Sequence, residues 1–576
     1  MKVDKFFQNF ELLTDAPNAV VKMQEIIMRL AFSGKLTKRD ISDVKVNDIF
    51  KEIKFEKKRL LEETTFREPK DFKPIHHNEI LFELPKEWMW ARIGELFLIS
   101  SGTTPNRTNH KYFENGTEYW VKTTDLNNET VLTCEEKITK QAVLDCNLKY
   151  YPVGTVCVAL YGGAGTIGKS GLLGIETTIN QSVCGIYPNK YVNAKYLHLY
   201  IKLIRPLWMN FAASLRKAPN INAGVVNNMV FPLAPLEEQK RIVEKCDRLL
   251  STCDEIEKRQ QQRQQSILRM NESAIAQLLT SQNPEEFRQH WQRICNNFDL
   301  LYSIPETIPK LRQAILQLAV QGKLVRQDPN DESASVLLKK VETEKENLIN
   351  QKKIKRIDSL PAIDFNNLPY QIPKTWEWVR LGSLVEVITK GSSPKWQGIN
   401  YVEDSSGTLF ITSENVQNYV INITEPKFVE AKFNEIEPRS ILKRNDILMN
   451  IVGASIGRTA IFDRDDIANI NQAVCLIRFI SPEKFIELRY ILHFFNSPVC
   501  ISFMFDKQVD SARANLSMGN IAKFPIPLPP LAEQKRIVEK CDRLMSLCDI
   551  LEAKLKQGRD SSEKLMEVAA KQVLTA

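Results

Sequence analysis

No run of 18 consecutive apolar residues occurs in the 576-residue chain, so no membrane span is expected. The opening MKVDKFFQNFELL has no long apolar stretch behind its basic residues, so no secretory leader is expected either. The 11 cysteines are scattered and include no C-x-x-C pair. An odd number without a leader points to reduced thiols in a cytoplasm. The six histidines show no metal-ligand spacing; His76-His77 reads as a solvated loop pair, and no metal site is expected. What is present is an ordinary globular balance, 43% hydrophobic and 26% charged, with a formal net charge of +8. That mild basicity permits a polyanionic partner without requiring one. The length suggests roughly three to five units.

The chain is written twice. Phe10-Glu-Leu-Leu13 returns as Phe298-Asp-Leu-Leu301, and LAFSGKL (30–36) returns as LAVQGKL (318–324). LPKEWMWARIG (84–94) returns as IPKTWEWVRLG (372–382), and EQKRIVEKCDRL (238–249) recurs letter for letter at 533–544. The offset between copies grows only between these last two motifs, so the frames match while the centres have diverged. Two such copies are expected to do two versions of one job.

GGAGTIGKSG (162–171) carries the spacing of a phosphate-binding loop, Gly163 followed by Gly168-Lys169-Ser170. The second copy has Val452 and Gly457-Arg458-Thr459 there, without the first glycine or the lysine. A phosphate loop must lead from a strand into a helix. TVCVALYG (155–162) reads as the strand, but SGLLGIETTINQSVCGIY (170–187) has no helical stripe, so the motif reads as a glycine turn between strands. NLPY (367–370) resembles a methyltransferase tetrapeptide but lacks the glycine-rich loop it needs, and reads as a turn.

The frames read as helices. One carries Met23, Ile27 and Leu30 and stops at Gly34; its copy carries Leu311, Ile315 and Leu318 and stops at Gly322. A second pair covers Ile49–Leu61 and Leu337–Ile349. After Pro235 and Pro530 come ladders at alternating spacings of four and three: Ile242, Cys246, Leu249, Cys253, Ile256, and Ile537, Cys541, Leu544, Cys548, Leu551. Both predict a coiled-coil seam with cysteine as filler. The expected partner of the first is the helix beginning near 531, or those of 308–350, packed antiparallel. KRQQQRQQS (258–266) is polar all round. The centres hold short strands such as DILMNIVG and AVCLIRFI, and each ends in one helix, over 193–204 and 483–496.

Two openings, LPKEWMWARIG…SSGTTP and IPKTWEWVRLG…TKGSSP, and two exits, FPLAPLEEQKRIV and FPIPLPPLAEQKRIV, resemble the specificity subunits of Type I restriction–modification enzymes. The Gly-Thr-Ile-Gly and Ala-Ser-Ile-Gly turns, each followed by Asn-Gln, add to the resemblance, which covers nearly the whole chain. It implies an α+β chain with two α/β target recognition domains in pseudo-two-fold repeat, separated by long antiparallel coiled-coil helices. The divisions expected are 1–75 (helical), 76–235 (first recognition domain), 236–362 (central helical), 363–530 (second recognition domain) and 531–576 (helical). The resemblance also implies double-stranded DNA as ligand, with two methyltransferase subunits and ATP-dependent restriction subunits as partners. S-adenosylmethionine, ATP and Mg are expected in those partners, and no cofactor and no catalytic residue in this chain. The helical segment before the first domain is longer than many members show; it mirrors 308–362.

A DNA reader needs cations for phosphates and amide, hydroxyl or guanidinium groups for base edges. The first centre offers Thr103, Thr104, Asn106, Arg107 and Lys111 on one turn, Lys122, Thr123 and Thr124 after the next strand, Lys169 on the glycine turn, and Arg216 and Lys217 beyond it. The second offers Lys390, Ser392, Ser393, Lys395 and Gln397, then Thr412 and Ser413, Arg458, and Arg513 and Asn515. Trp88, Trp90, Trp376 and Trp378 recur as W-x-W and read as core. The competing readings are an enzyme, either a P-loop ATPase or a fused DNA methyltransferase, and a scaffold whose recognition domains have degenerated.

Overall fold

A computed structural model describes residues 16–38, 40, 42–63, 66, 72–211, 220–355, 360–403, 406–506 and 516–575. The chain forms two compact units, Met1–Gln262 with Gly558–Ala576, and Arg263–Gln557. No helix among the described residues is long and apolar enough to cross a membrane.

The first unit begins with the helix Ala19–Phe32, which buries Met23, Ile27 and Leu30. It ends before Gly34, whose φ of +69° suits only glycine, and a Cβ there would lie 2.4 Å from Pro85 Cγ. The second unit repeats the device: helix Ile308–Val320, then Gly322 at φ +70° with Pro373 Cγ 2.5 Å from a built Cβ. The next helices are Val46–Glu63 and Ala334–Asn350. Each sends a lysine to the same place: Lys57 Nζ donates to the Gly94 carbonyl, Lys345 Nζ to that of Gly382 at 2.7 Å.

Each centre is closed at its neck by a two-stranded antiparallel ribbon, Met89–Arg92 with Val230–Leu233 in the first unit and Glu377–Arg380 with Pro525–Leu528 in the second. Above it the two centres differ. The first holds a five-stranded sheet, in the order Ile99–Ser101, Val183–Ile186, Val156–Ala159, Ser170–Leu173, Thr130–Val131, and a three-stranded sheet of Lys137–Ile138, Glu118–Val121 and Thr178–Ile179. The second holds two four-stranded sheets, Val385–Lys390, Val474–Phe479, Asp446–Asn450, Thr459–Phe462 and Tyr401–Val402, Phe428–Val429, Thr408–Ile411, Ala468–Ile470. The strands Val156–Ala159 and Val183–Ile186 are buried along their whole length, which is why they read as unbroken apolar runs; Asp446–Asn450 is buried too, with a polar residue at each end.

The exit motif Glu-Gln-Lys-Arg-Ile is what ties each frame to its centre. Trp88 Nε1–H donates to Glu238 Oε2 at 2.9 Å, and Trp376 Nε1–H to Glu533 Oε2 at 3.0 Å. Gln239 Oε1 accepts the Asn193 N–H and Gln534 Oε1 the Glu487 N–H, at 2.8 and 2.9 Å, fixing the start of the last helix of each centre. Arg241 pairs with Asp43 and Arg536 with Asp331, each at 2.6 Å. Ile242 and Ile537 are fully buried.

Two expectations need correction. The helix over 483–496 is split: Pro482–Phe485 and Leu488–Phe495 flank Ile486, which is extended at φ −140°, ψ 125°. Glu487 must be non-helical to cap the second piece, as Asn193 caps Ala194–Ile204. The long helices Leu236–Leu279 and Leu531–Thr575 do carry the two ladders. Ile242, Cys246 and Cys253, however, lie in the first unit's core with the helix Ala19–Phe32 and with Met566, Ala569, Ala570 and Val573, the far end of the second long helix; Leu249 and Ile256 are half-buried against it. Ile537, Cys541 and Cys548 lie instead in the second unit's core with Ile308 and Ile315, flanked by Leu544 and Leu551. The helices of 308–350 therefore serve the second ladder, not the first. Cysteine as filler fits: burial pushes the thiols of Cys246 and Cys541 up to about 12.

Candidate nucleic-acid interface

In each unit, loops that carry described candidates meet at one short turn, Asn180–Val183 in the first and Asn471–Val474 in the second. Asn180 Oδ1 accepts the Ser182 N–H and Asn471 Oδ1 the Ala473 N–H, at 3.1 and 3.0 Å, so each asparagine closes its own turn. On one side runs the Gly-Thr-Thr-Pro or Gly-Ser-Ser-Pro loop. Thr103 N–H donates to Ile179 O at 3.1 Å, and a Cβ on Gly102 would lie 1.9 Å from that oxygen. A Cβ on Gly391 would lie 1.7 Å from Ile470 O. Both glycines are therefore demanded by close approach of two backbones. On the other side runs the glycine turn, held by Leu160 N–H to Ser182 O at 2.8 Å and by Ile451 N–H to Ala473 O at 3.0 Å. The chain returning from 212–219 joins here through Ile221 N–H to Leu160 O, and that from 507–515 through Leu516 N–H to Ile451 O, both 2.9 Å. Arg216, Lys217, Arg513 and Asn515 themselves lie outside the described residues.

The side chains on this face fall into two groups. Thr103, Lys111, Lys390, Lys395 and Arg458 are exposed, and Lys169 is half-buried. Lys111, Lys169, Lys390, Lys395 and Arg458 form no ion pair among the described residues. Others are already engaged. Arg107 makes a two-pronged contact with Glu136 at 2.9 and 3.1 Å and lies over the rings of Phe113 and Trp120, 5.3 Å from each centroid. Lys122, only 19% exposed, meets Glu136 at 3.0 Å and Glu135 at 3.4 Å. These two are not free cations; they share one carboxylate. Asn106 Oδ1 accepts from the N–H and hydroxyl of Thr108. Thr104 Oγ1 accepts the Gln181 N–H, at 3.5 Å. Ser392 Oγ accepts from Gln397 Nε2, which also reaches Glu437, while Ser393 is half-buried. Thr412 is buried and bonded to Asn415. Thr123 is half-buried, Thr124 is exposed, and Ser413 is half-buried and accepts Asn450 Nδ2 at its carbonyl.

Two residues on this face were not singled out from the sequence as contact candidates. Gln181 is exposed at the tip of the central turn, and Gln472 half-buried at the same place. Their recurrence beside the paired asparagines was the available signal. Trp396, between Lys395 and Gln397, is 78% exposed. Trp88, Trp376 and Trp378 are buried and Trp90 is half-buried, as core side chains.

The glycine turn has no phosphate-loop geometry. Gly163–Thr166 makes a single helical turn, Gly168 takes φ +72°, and Ser170–Leu173 is a strand hydrogen-bonded to Val156–Ala159. No helix N-terminus follows Lys169, and the amides of Gly168, Lys169 and Ser170 already donate to Ala159 O, Thr166 O and Asn128 Oδ1.

A family model described as the Type I restriction modification DNA specificity domain matches residues 85–264 and again 373–558. The chain is 27% identical over 571 residues to the EcoEI specificity subunit of Escherichia coli, covering 95% of this chain and 93% of that one. It is 27% identical over 568 residues to the EcoAI specificity subunit of the same organism, covering 95% and 92%. The crystal structure of the HsdS subunit from Thermoanaerobacter tengcongensis is similar over 86% of this chain and 98% of that chain, at 17% identity and a TM-score of 0.43. With the family's domain matched twice, across the very segments that repeat, the chain belongs to the specificity subunits of Type I restriction–modification enzymes.

Proposed function

We propose that each unit reads one half of a bipartite, asymmetric double-stranded DNA site, and that the chain directs methylation or cleavage carried out by partner subunits. The observation that carries this reading is the repeated face: a backbone-locked Gly-Thr/Ser loop and a cation-bearing glycine turn flank the same Asn-Gln turn in both units. The scaffold of the face is repeated while several of its side chains, Arg107 against Trp396 among them, are not, which is what two readers of different half-sites require. Lys111, Lys169, Lys390, Lys395 and Arg458 are assigned to phosphates, and Thr103, Gln181, Ser393 and Gln472 to base edges. Arg107 and Lys122 reach DNA only if phosphate replaces Glu136. Arg216, Lys217, Arg513 and Asn515 are retained as candidates from the sequence.

The chain is proposed to have no catalytic site of its own. Two methyltransferase subunits using S-adenosylmethionine, and restriction subunits using ATP and Mg, are the proposed partners; the relatives being specificity subunits of Type I restriction enzymes supports a multi-subunit assembly. The test is methylome sequencing of a host carrying the system, before and after residues 76–235 are exchanged for another member's domain. One half of the methylated sequence is expected to change and the other to persist. A change in both halves, or in neither, refutes modular reading. A complex that methylates no defined sequence favours the scaffold.

A further inference from the structure

We infer that Trp396 stacks against a base in the half-site read by the second unit, giving that half a contact the first unit lacks; this rests on the proposed DNA-reading function. Trp88, Trp120, Trp208, Trp376 and Trp378 are between 0% and 8% exposed, Trp90 is half-buried and Trp291, outside the two centres, is 48% exposed, whereas Trp396 is 78% exposed. It is not a loose loop tip. Trp396 lies in the single turn Pro394–Gln397, whose Pro394 is buried beneath it. The turn is closed by Trp396 N–H to Ser393 O at 3.1 Å and Ile399 N–H to Pro394 O at 2.9 Å, and ended by Gly398 at φ +69°. Gln397 pins it from the side through Ser392 and Glu437, at 3.0 and 3.2 Å. Lys395, its neighbour in the chain, and Lys390, at the end of the strand Val385–Lys390, are exposed as well.

An exposed indole on a hydrogen-bonded turn has only two side-chain torsions to fix on binding and offers a large flat surface. Bases stack on such rings, and apolar wedges enter deformable base steps. In the first unit, the corresponding position two residues after the loop proline is Arg107. That side chain is drawn back over Phe113 and Trp120 by Glu136 and exposes no ring. The two units therefore differ in kind at one matched position.

The experiment compares Trp396→Ala, Trp396→Phe and Lys395→Ala in the full chain assembled with its methyltransferase subunits. The probe is a duplex carrying the site defined by methylome sequencing. Trp396→Ala is expected to weaken binding about 5- to 100-fold. Trp396→Phe should stay within about threefold, and the salt dependence should not change, because no ion pair is lost. Lys395→Ala should instead lower the salt slope by about one. The methylated sequence in cells carrying Trp396→Ala should loosen in the second unit's half only. Wild-type affinity for Trp396→Ala beside a weakened Lys395→Ala overturns the stacking role and leaves the DNA face standing. Wild-type affinity for both overturns the face as well. Loosening in both halves would show a general loss and also overturn the inference.

Discussion

Breaking the tie between Trp376 and Glu533 should cost the second unit several kcal/mol and leave the first untouched. Glu533 is wholly buried, and its carboxylate accepts from Trp376 Nε1 and from Gln327 Nε2, both at 3.0 Å. Trp376→Phe removes one of those donors and part of a buried ring. The missing hydrogen bond to a buried carboxylate costs about 1–3 kcal/mol, and the lost volume adds about 1–2 kcal/mol. Glu533→Leu strands the indole N–H and the Gln327 amide instead, at a similar cost. In the double variant neither group is left waiting for the other, so the two losses should fall short of their sum by about 1–2 kcal/mol. Denaturant unfolding gives the energies. Hydrogen exchange locates them: the amides of Glu377–Arg380, of Ile526 and Leu528, and of the first turns of Leu531–Thr575 should lose protection. Those of the ribbon Met89–Arg92 with Val230–Leu233, held by Trp88 and Glu238, should keep theirs. A coupling below about 0.3 kcal/mol, smaller than the scatter of independent sites, refutes the tie as a source of stability. Equal loss of protection in both units refutes its locality.

Three further outcomes follow from the same geometry. His198 is buried against Ser170 Oγ at 3.1 Å, and burial, then the charges of Lys202 and Lys195, bring its pKa from 6.5 to about 4. The folded state thus favours the neutral ring, so stability present above pH 6.5 should drain away toward pH 4, by about 2 kcal/mol at pH 5; His198→Gln should flatten that part of the pH profile of unfolding, and an unchanged profile tells against it. Lys169→Ala and Arg458→Ala should each lower the salt slope of DNA binding by about one without touching ATP turnover per bound complex; lost ATPase with normal DNA affinity would restore the phosphate-loop reading. One added heptad lengthens a helix by about 10 Å, and because both long helices have residues in both units, it must be inserted in both, within 258–266 and beside Gly558. The non-specific gap between half-sites should then change by about three base pairs at about 3.4 Å per pair with both half-sites unchanged, and retention of the original gap by folded, DNA-binding variants excludes the helices as the ruler.

Much of the frame was legible because periodicity and turn chemistry are local. The stripe Met23, Ile27, Leu30 ending at Gly34 specifies a helix and its stop without knowledge of the rest of the chain, and Pro235 and Pro530 mark helix starts for the same reason. What was hidden depends on partners far along the chain. Glu238 reads as a polar helix residue, and only folding brings it to Trp88, 150 residues away. The ladder at Ile242–Ile256 announces a buried face but not what buries it; its neighbours in the first unit's core include Met566–Val573. Arg107 and Lys122 carry the charge expected of phosphate contacts, yet Glu136, on a different strand connection, claims both. Ile486 interrupts an apolar stripe that looks continuous because Gln534 holds the Glu487 amide outside the helix. Charge and periodicity thus name the candidates, while long-range pairing decides which of their side chains are already engaged.

The division of labour within each copy follows from where the polar ties are. Glu, Gln, Arg and Ile of the exit motif each bind something at the neck: the first Trp of W-x-W, the start of the last helix, an aspartate between the frame helices, and the core. A change in any of them unsettles two elements at once, so the motif repeats letter for letter in both copies. Above the neck the constraint is different in kind. The loops are set first by close backbone approach, Gly102 and Gly391 against the carbonyls of Ile179 and Ile470, and the turns beside them by the side chains of Asn180 and Asn471. Positions outside these contacts can change without moving the loop, and Arg107 in one copy stands where Trp396 stands in the other. Sheets of five and three strands then serve as well as two of four. A neck tied by side chains and loops set by close backbone approach thus put two differing sets of side chains on one repeated frame.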